Sequence, residues 1–406
     1  MKKGWELKKL GEVLTIERGG SPRPINKYLT KSANGINWIK ISDATASEKY
    51  IYETKEKIKL EGLHKTRVVN DGDFILSNSM SFGRPYIMKT TGCIHDGWLV
   101  LRQSNKKIFE TEFLYYLLSS PIVFQQFNTL AAGSTVRNLN IALVSSVNVP
   151  IPPLPEQKRI VSILDETFAR ITKAKANAEK NLQNARELFE SYLQNVFANP
   201  GEDWEVKIIK EVCELKSGTT ISTSLERDKG DVLYTKIADM NLPENTIEIN
   251  TSSRFVNRNE IKQNQIIPEG AIIFPKRGGA IATNKKRKII KPTIVDLNTM
   301  AIIPSKKINK NYFFHWFQLF DLNTISSGAN IPQINNYSFD DVYIPYPISL
   351  KEQQAIVHKI DSLSTETKKL ETIYQQKIEA LDEVKKSILQ KAFSGELKTT
   401  DKKVLA

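Results

Sequence analysis

Lys276, Arg277, Lys285, Lys286, Arg287, Lys288 and Lys291 stand in one short stretch with no acidic residue among them. Ammonium and guanidinium groups at that density suit phosphate oxygens. With a net charge of +13 and a pI near 9.4, they point to a polyanionic partner. Other chemistry-bearing residues lie in polar, glycine-containing segments. Arg18, Ser21 and Arg23 occupy a Gly-Pro stretch, Asn78, Ser81 and Arg84 occupy SNSMSFGRP, and Arg137 and Asn138 follow Gly133. Later in the chain come Thr219 and Thr220, then Lys276 and Arg277 before Gly278-Gly279, then Asn330 and Gln333. These side chains donate and accept hydrogen bonds, which is the chemistry of reading base edges and of anchoring on phosphates.

Bond-making chemistry is sparse. A methyltransferase acting on adenine is expected to carry an Asn-Pro-Pro-aromatic tetrapeptide, and none occurs; a phosphate-binding loop ending in Gly-Lys-Ser/Thr is also missing. Asp43 with Glu53-Thr54-Lys55 imitates the carboxylate and lysine pattern of metal-dependent nucleases, but Glu6 to Lys8 and Glu205 to Lys207 repeat the triplet, as a Lys/Glu-rich chain will. His64, His95, His315 and His358 have no ligand spacing, so neither a metal nor a catalytic residue is expected. Cys93 and Cys213 form no CxxC pair and are read as reduced, buried thiols. The N-terminus has lysines without a following apolar run, and no stretch reads as a membrane span, so a cytoplasmic protein is expected.

The elements that position these residues come in two copies. Trp5-Glu6 with Lys8, Glu12 and Val13 returns as Trp204-Glu205 with Lys207, Glu211 and Val212, an offset of 199 residues. Gly35 to Asp43 returns as Gly230 to Asp239, and Gly133, Asn138 and Asn140 as Gly328, Gln333 and Asn335. Val149 to Asp165 matches Ile344 to Asp361. A repeat in constant order dictates a duplicated architecture. Each half opens with short apolar runs between turn residues, such as Asp73 to Leu76, Trp98 to Leu101, Ala271 to Phe274 and Met300 to Ile303, which read as strands. Helices are expected over Glu112 to Phe127 and Asn311 to Leu322.

Each half closes with a long helix. Pro155 opens the first, and Ser349 with Glu352 forms a capping-box pattern at the second. Leu164, Phe168, Ile171, Ala178, Leu182, Ala185, Phe189, Tyr192 and Val196 step by threes and fours along one; Ile356, Ile360, Leu363, Leu370, Tyr374, Leu381, Val384 and Ile388 do so along the other. Lys175 and Thr367 interrupt these seams. A narrow seam of this kind predicts a coiled coil, and roughly 40 residues at about 1.5 Å each make a rod of about 60 Å. The expected fold class is α+β: two mixed α/β modules, each followed by a long helix, with the helices pairing antiparallel. The boundaries are 1–155, 156–198, 199–350 and 351–396, with a tail over 397–406.

This arrangement resembles the specificity subunits of type I restriction-modification systems. The residues that carry the resemblance are Trp5-Glu6 and Trp204-Glu205; Pro150, Pro152, Glu156, Gln157, Ile160 and Val161; and Pro345, Pro347, Glu352, Gln353, Ile356 and Val357. The second copy departs from the usual Leu-Pro motif, with Ser349-Leu350-Lys351 before Glu352. The resemblance implies a non-catalytic subunit with two target-recognition domains, each reading half of a split double-stranded DNA site. It implies two methylation subunits docked on the helices and separate motor-nuclease subunits, with S-adenosylmethionine, ATP and magnesium held by those partners and no cofactor on this chain. The polar-loop residues named above are then the candidate DNA contacts, and Lys285, Lys286 and Arg287 a phosphate-facing run. A DNA-modifying or DNA-cleaving enzyme acting unaided, and a scaffold that binds no DNA, are the competing readings.

Overall fold

The computed structural model describes residues 2–78, 82–103, 108–132, 138–328 and 330–398. The chain divides into two units, Met1–Lys180 with Tyr374–Ala406, and Asn181–Ile373.

In the first unit, β1 (Glu6–Lys9) pairs antiparallel with β6 (Asn148–Ile151), so the start and end of the module are joined in one ribbon. Between them, β2 (Leu14–Arg18) pairs with β5 (Trp98–Gln103), which pairs with β3 (Phe74–Ser77). Strands Pro85–Met88 and Tyr50–Ile51 complete this five-stranded sheet. A second five-stranded sheet contains β4 (Gly92–Ile94) beside Ile36–Ile39. Leu76, Leu99 and Leu101 pack against the helix Thr111–Leu118 through Phe113, Leu114 and Leu117, all fully buried.

One helix was expected over Glu112 to Phe127, but there are two, Thr111–Leu118 and Pro121–Ala131. Proline disfavours helical backbone in the residue before it. Ser120 is accordingly extended, and its Oγ accepts from the Val123 amide, capping the second helix with Pro121 in the first turn.

The second unit repeats the plan. β7 (Trp204–Ile208) pairs with β12 (Tyr343–Pro347); β8 (Cys213–Ser217), β11 (Thr299–Pro304) and β9 (Ile272–Pro275) form the main sheet with Arg287–Ile289 and Glu248–Ile249. β10 (Thr293–Val295) lies in a three-stranded sheet. The helix Lys310–Leu319 meets the main sheet where Phe317 packs edge to face with Phe274 at 5.4 Å, and it meets the β7–β12 ribbon where Tyr312 packs on Trp204 and donates to the Pro345 carbonyl. Cys93 and Cys213 are free and buried, and burial pushes the Cys213 thiol up.

Two 45-residue helices follow the modules, α1 (Leu154–Ala198) and α2 (Leu350–Ser394). In the first unit the N-terminal part of α1 meets the C-terminal part of α2, with Ile160, Leu164 and Ile171 in one core with Leu381, Ile388 and Ala392. In the second unit the C-terminal part of α1 meets the N-terminal part of α2 through Leu193, Phe197, Val357 and Ile360. The helices are therefore an antiparallel pair. The two residues that break the apolar pattern are accommodated chemically. Lys175 Nζ donates to both carboxylate oxygens of Asp382 at 2.8 Å, and the buried Thr367 hydroxyl donates to the Leu363 carbonyl one turn back, at 2.9 Å. Leu370, expected in the seam, is 39% exposed instead, because Thr367 takes the buried position.

The Glu-Gln dipeptides that open the helices tie them to their modules. Gln157 is fully buried; its Oε1 accepts from the Glu110 amide, and its Nε2 donates to the carbonyls of Ile108 and Pro152, all at 2.8 Å. Gln353 does the same with the Asn309 amide and the carbonyls of Lys307 and Pro347. Glu156 is bound by Arg159 and Lys2, which hold its carboxyl down at about 2.

Candidate nucleic-acid interface

The turn His95–Trp98, between β4 and β5, gathers three distant segments in the first unit. Its backbone accepts from the Gly19 amide (Trp98 carbonyl, 2.9 Å) and the Asn78 amide (Gly97 carbonyl, 3.1 Å). Gly20 adds a bond to the Ile94 carbonyl at 3.1 Å. A Cβ on Gly19 would stand 2.0 Å from the His95 carbonyl oxygen, so only glycine lets the loop lie this close. The Asp96 carbonyl accepts from Arg18 Nε (3.1 Å) and Asn78 Nδ2 (2.9 Å), and the Asp96 carboxylate accepts from Ser21 Oγ (2.6 Å). The Arg23 guanidinium, 81% exposed, stands 3.6 Å from the other carboxylate oxygen. The Ser21 hydroxyl is the main cause that holds the Asp96 carboxyl below its ordinary range. Leu139 joins through its amide to the Asn78 carbonyl at 2.8 Å.

Arg18, Ser21, Arg23 and Asn78 thus converge on one turn. Arg18 and Arg23 are exposed cations, whereas Asn78 is buried and its Oδ1 lacks a partner, as does that of the half-buried Asn138. Arg84 is exposed with its guanidinium over the Tyr86 ring, 5.2 Å from the centroid. Ser81 and Arg137 lie outside the described residues. Burial lowers the His95 pKa, so the ring is neutral at pH 7; Nδ1 accepts from the Gly97 amide, which places the proton on Nε2.

The second unit builds the same junction around Asp296–Thr299. The Gly218 amide donates to the Thr299 carbonyl (2.9 Å), the Thr219 amide to Val295 (2.9 Å) and the Lys276 amide to Asn298 (2.8 Å). A Cβ on Gly218 would meet the Asp296 carbonyl oxygen at 1.9 Å. The Ile334 amide donates to the Lys276 carbonyl at 2.8 Å, and Arg277 and Gln333 form a β-bridge. Thr219, Lys276, Arg277 and Gln333 are therefore brought together; Thr220 and Asn330 are exposed on the adjoining loops. Lys276 Nζ donates to Ser217 Oγ at 3.0 Å.

Within the phosphate-facing run, Lys286 alone is buried away from any phosphate. Lys286 is 1% exposed, and its ammonium donates to the Phe320 carbonyl and to Asn284 Oδ1; burial lowers its pKa to about 8. Arg287 donates to the backbone carbonyls of Asn245, Lys286 and Met240. Lys286 immediately precedes the strand Arg287–Ile289 and is buried, whereas Arg287, the strand's first residue, is half-exposed on account of the pleat's alternation. Lys285 binds Asn241 Oδ1 and remains half-exposed. The hub residue Asp96 was not anticipated from sequence; the signal that could have found it is the pair Gly19 and Gly218 at the repeat offset, which marks where two backbones touch.

The family model for the type I restriction modification DNA specificity domain matches twice, over residues 2–181 and 201–380. The chain belongs to this specificity-domain family. Relatives of this specificity chain include the type I restriction enzyme MjaIX specificity subunit of Methanocaldococcus jannaschii, 23% identical over 98% of this chain and 95% of the relative. The EcoKI specificity subunit of Escherichia coli K12 is 21% identical over 72% of this chain and 67% of its own length. Among solved structures, the HsdS subunit from Thermoanaerobacter tengcongensis superposes with a TM-score of 0.66 at 19% identity, covering 98% of both chains. A chain from a study of complex assembly and conformational transition of the type I R-M system reaches 0.79 at 20% identity, covering 98% of this chain and 99% of that one. These likenesses establish the specificity-subunit fold. Among the described residues no helix is long and apolar enough to cross a membrane, and no group of three or more His, Cys, Asp or Glu is placed to hold a metal ion.

Proposed function

We propose that this chain reads a bipartite double-stranded DNA sequence, one half-site per module, and thereby directs adenine methylation and restriction performed by partner subunits. The observation that carries the reading is the junction built twice: in each module a glycine-backed loop, a strand end and a tight turn meet, presenting Arg18 and Arg23 in one and Lys276 and Arg277 in the other. Cations at such a surface engage phosphates and set the register, while neighbouring polar groups reach base edges. Residues 1–155 and 199–350 act as target-recognition domains, and 156–198 and 351–396 as spacer helices. Pairing of the helices makes both readings conditional on one another, because both modules engage only where the half-sites match the spacing.

The chain itself is non-catalytic in this scheme. Two methylation subunits dock on the helices, motor-nuclease subunits join them, and S-adenosylmethionine, ATP and magnesium are bound by those partners in the cytoplasm. Ser81, Arg84, Arg137, Asn138, Thr219, Thr220, Asn330 and Gln333 complete the proposed contact surface. The test is to map methylated adenines in the host genome with and without this gene. Loss of methylation at one split motif supports the proposal; an unchanged methylation pattern, or turnover of DNA by the purified chain with magnesium and S-adenosylmethionine alone, refutes it.

A further inference from the structure

The two junctions can be aligned atom by atom. β2 pairs with β5 so that Arg18 stands opposite Leu99, and β8 pairs with β11 so that Ser217 stands opposite Met300. In both turns the fourth residue's amide donates to the first residue's carbonyl, Trp98 to His95 and Thr299 to Asp296, each at 3.0 Å. Counting back along either turn, Asp96 and Leu297 occupy the same position, the first of the two central residues. Both project outward: the Asp96 side chain is 47% exposed, and Leu297 is 53% exposed.

Both side chains are therefore open to a partner that meets the turn. Asp96 Oδ1 is engaged by Ser21, but Oδ2 faces Arg23 beyond hydrogen-bond reach and retains acceptor capacity toward solvent. A carboxylate on a surface that meets DNA is repelled by phosphates. What it gains there is an amino donor on a base edge: cytosine N4, or adenine N6. An isobutyl group at the same position has no hydrogen-bonding capacity, and the base-edge feature that suits it is the thymine methyl. In the second turn Asp296 is buried and accepts from Thr299 Oγ1 (2.7 Å) and from Nδ2 of the exposed Asn298 (3.0 Å), so Leu297 and Asn298 share the tip.

We infer that this turn position determines specificity in both modules, Asp96 selecting a base with a major-groove amino group in one half-site and Leu297 a thymine in the other. The inference rests on the DNA-reading function proposed above and names the residues that carry it. The unlike pair is chemically sufficient to make the two halves of the site different at this position.

The full chain, assembled with the methylation subunits of its own system, is offered DNA carrying a randomised site, and the methylated motif is read by sequencing. Asp96→Ala is expected to relax one base pair of one half-site, reducing discrimination there by about 5- to 150-fold, the equivalent of about 1–3 kcal/mol. Whether that base pair is C·G or A·T identifies the amino group. Leu297→Asp is expected to move the other half-site from thymine to an amino-bearing base at one position, leaving the first half-site unchanged. Leu297→Asp reports even where loss of the Ser21 contact prevents Asp96→Ala from folding. Motifs identical to wild type for folded variants overturn the inference, as does an equal loss on all sequences, which would mark a purely structural turn. If the wild-type complex yields no bipartite motif, the DNA-reading function itself fails; a wild-type motif with unaltered variant motifs sinks the turn assignment alone.

Discussion

Replacing Gln157 with leucine, close in volume but without polar atoms, should separate the first helix from its module energetically. The native amide satisfies the Glu110 N–H and the carbonyls of Ile108 and Pro152, and no part of Gln157 reaches solvent. Leucine leaves these three groups facing apolar atoms. A buried polar group stripped of its partner costs about 1–3 kcal/mol. Because neighbouring losses are not additive, the total expected is about 3–5 kcal/mol. The first unit spans residues 1–180 and 374–406. For a body of that size each kcal/mol moves the melting temperature by about 2–4 °C, so a drop of about 10 °C is expected. Thermal unfolding followed by circular dichroism measures it directly. Gln157→Glu adds a second arm, because a carboxylate at Nε2 would face two carbonyl oxygens and only its protonated form can donate. Its folded pKa is therefore raised. Stability relative to wild type is greatest below the ordinary glutamate pKa, near 4.3, and is lost as pH rises through the folded value. A Gln157→Leu protein melting within about 3 °C of wild type, or a Gln157→Glu deficit that does not grow with pH, would refute the reasoning.

Arg23→Ala should weaken binding to all duplexes alike and lower the salt dependence by about one phosphate contact, while Lys286→Met should leave that slope unchanged; salt titrations of binding compare them. Lys286, with its pKa lowered to about 8 by burial, gives up its proton more readily in the folded than in the unfolded state. Its stabilising contribution is thus full above the unfolded value near 10.5 and is lost as pH falls through about 8, so wild type should gain on Lys286→Met across that window in denaturant titrations. Reversing Lys175 to Asp should destabilise the helix pair by juxtaposing it with Asp382, and Asp382→Lys should restore most of the loss in a double-mutant cycle, with a coupling of about 1 kcal/mol for this partly exposed pair.

Much of this protein is legible in one dimension. The duplication and the two long helices with their apolar seams follow from motif order and from apolar residues at three- and four-residue steps, since helical periodicity is local, whereas their antiparallel sense came with the family resemblance. The break at Ser119 and Ser120 was also encoded locally, in the proline that follows, yet the continuous apolar pattern across it reads as one helix. Leu370 illustrates the limit: it satisfies the seam spacing as well as its neighbours do, and only the partner helix decides that Thr367 lies inside.

The candidate site divides differently. That polar, basic loops recur at matching positions was evident from the amino acids, because donors and glycines are types. Which of them face outward was not: Lys285, Lys286 and Arg287 are chemically alike in a row, but the Phe320 carbonyl holds Lys286 inside while Lys285 and Arg287, the latter bound to the carbonyls of Asn245 and Met240, stay half-exposed. Asp96 was invisible for a related reason, since the residues that make it a hub come from positions 18, 21, 23 and 78, and chain separation carries no record of such contacts. The order of residues thus determined a repeated α+β chain with paired helices, through short-range periodicity and repetition; the folded sheets alone decided which charges meet solvent and which turn presents Asp96 and Leu297, because burial and convergence depend on contacts between segments far apart in the chain.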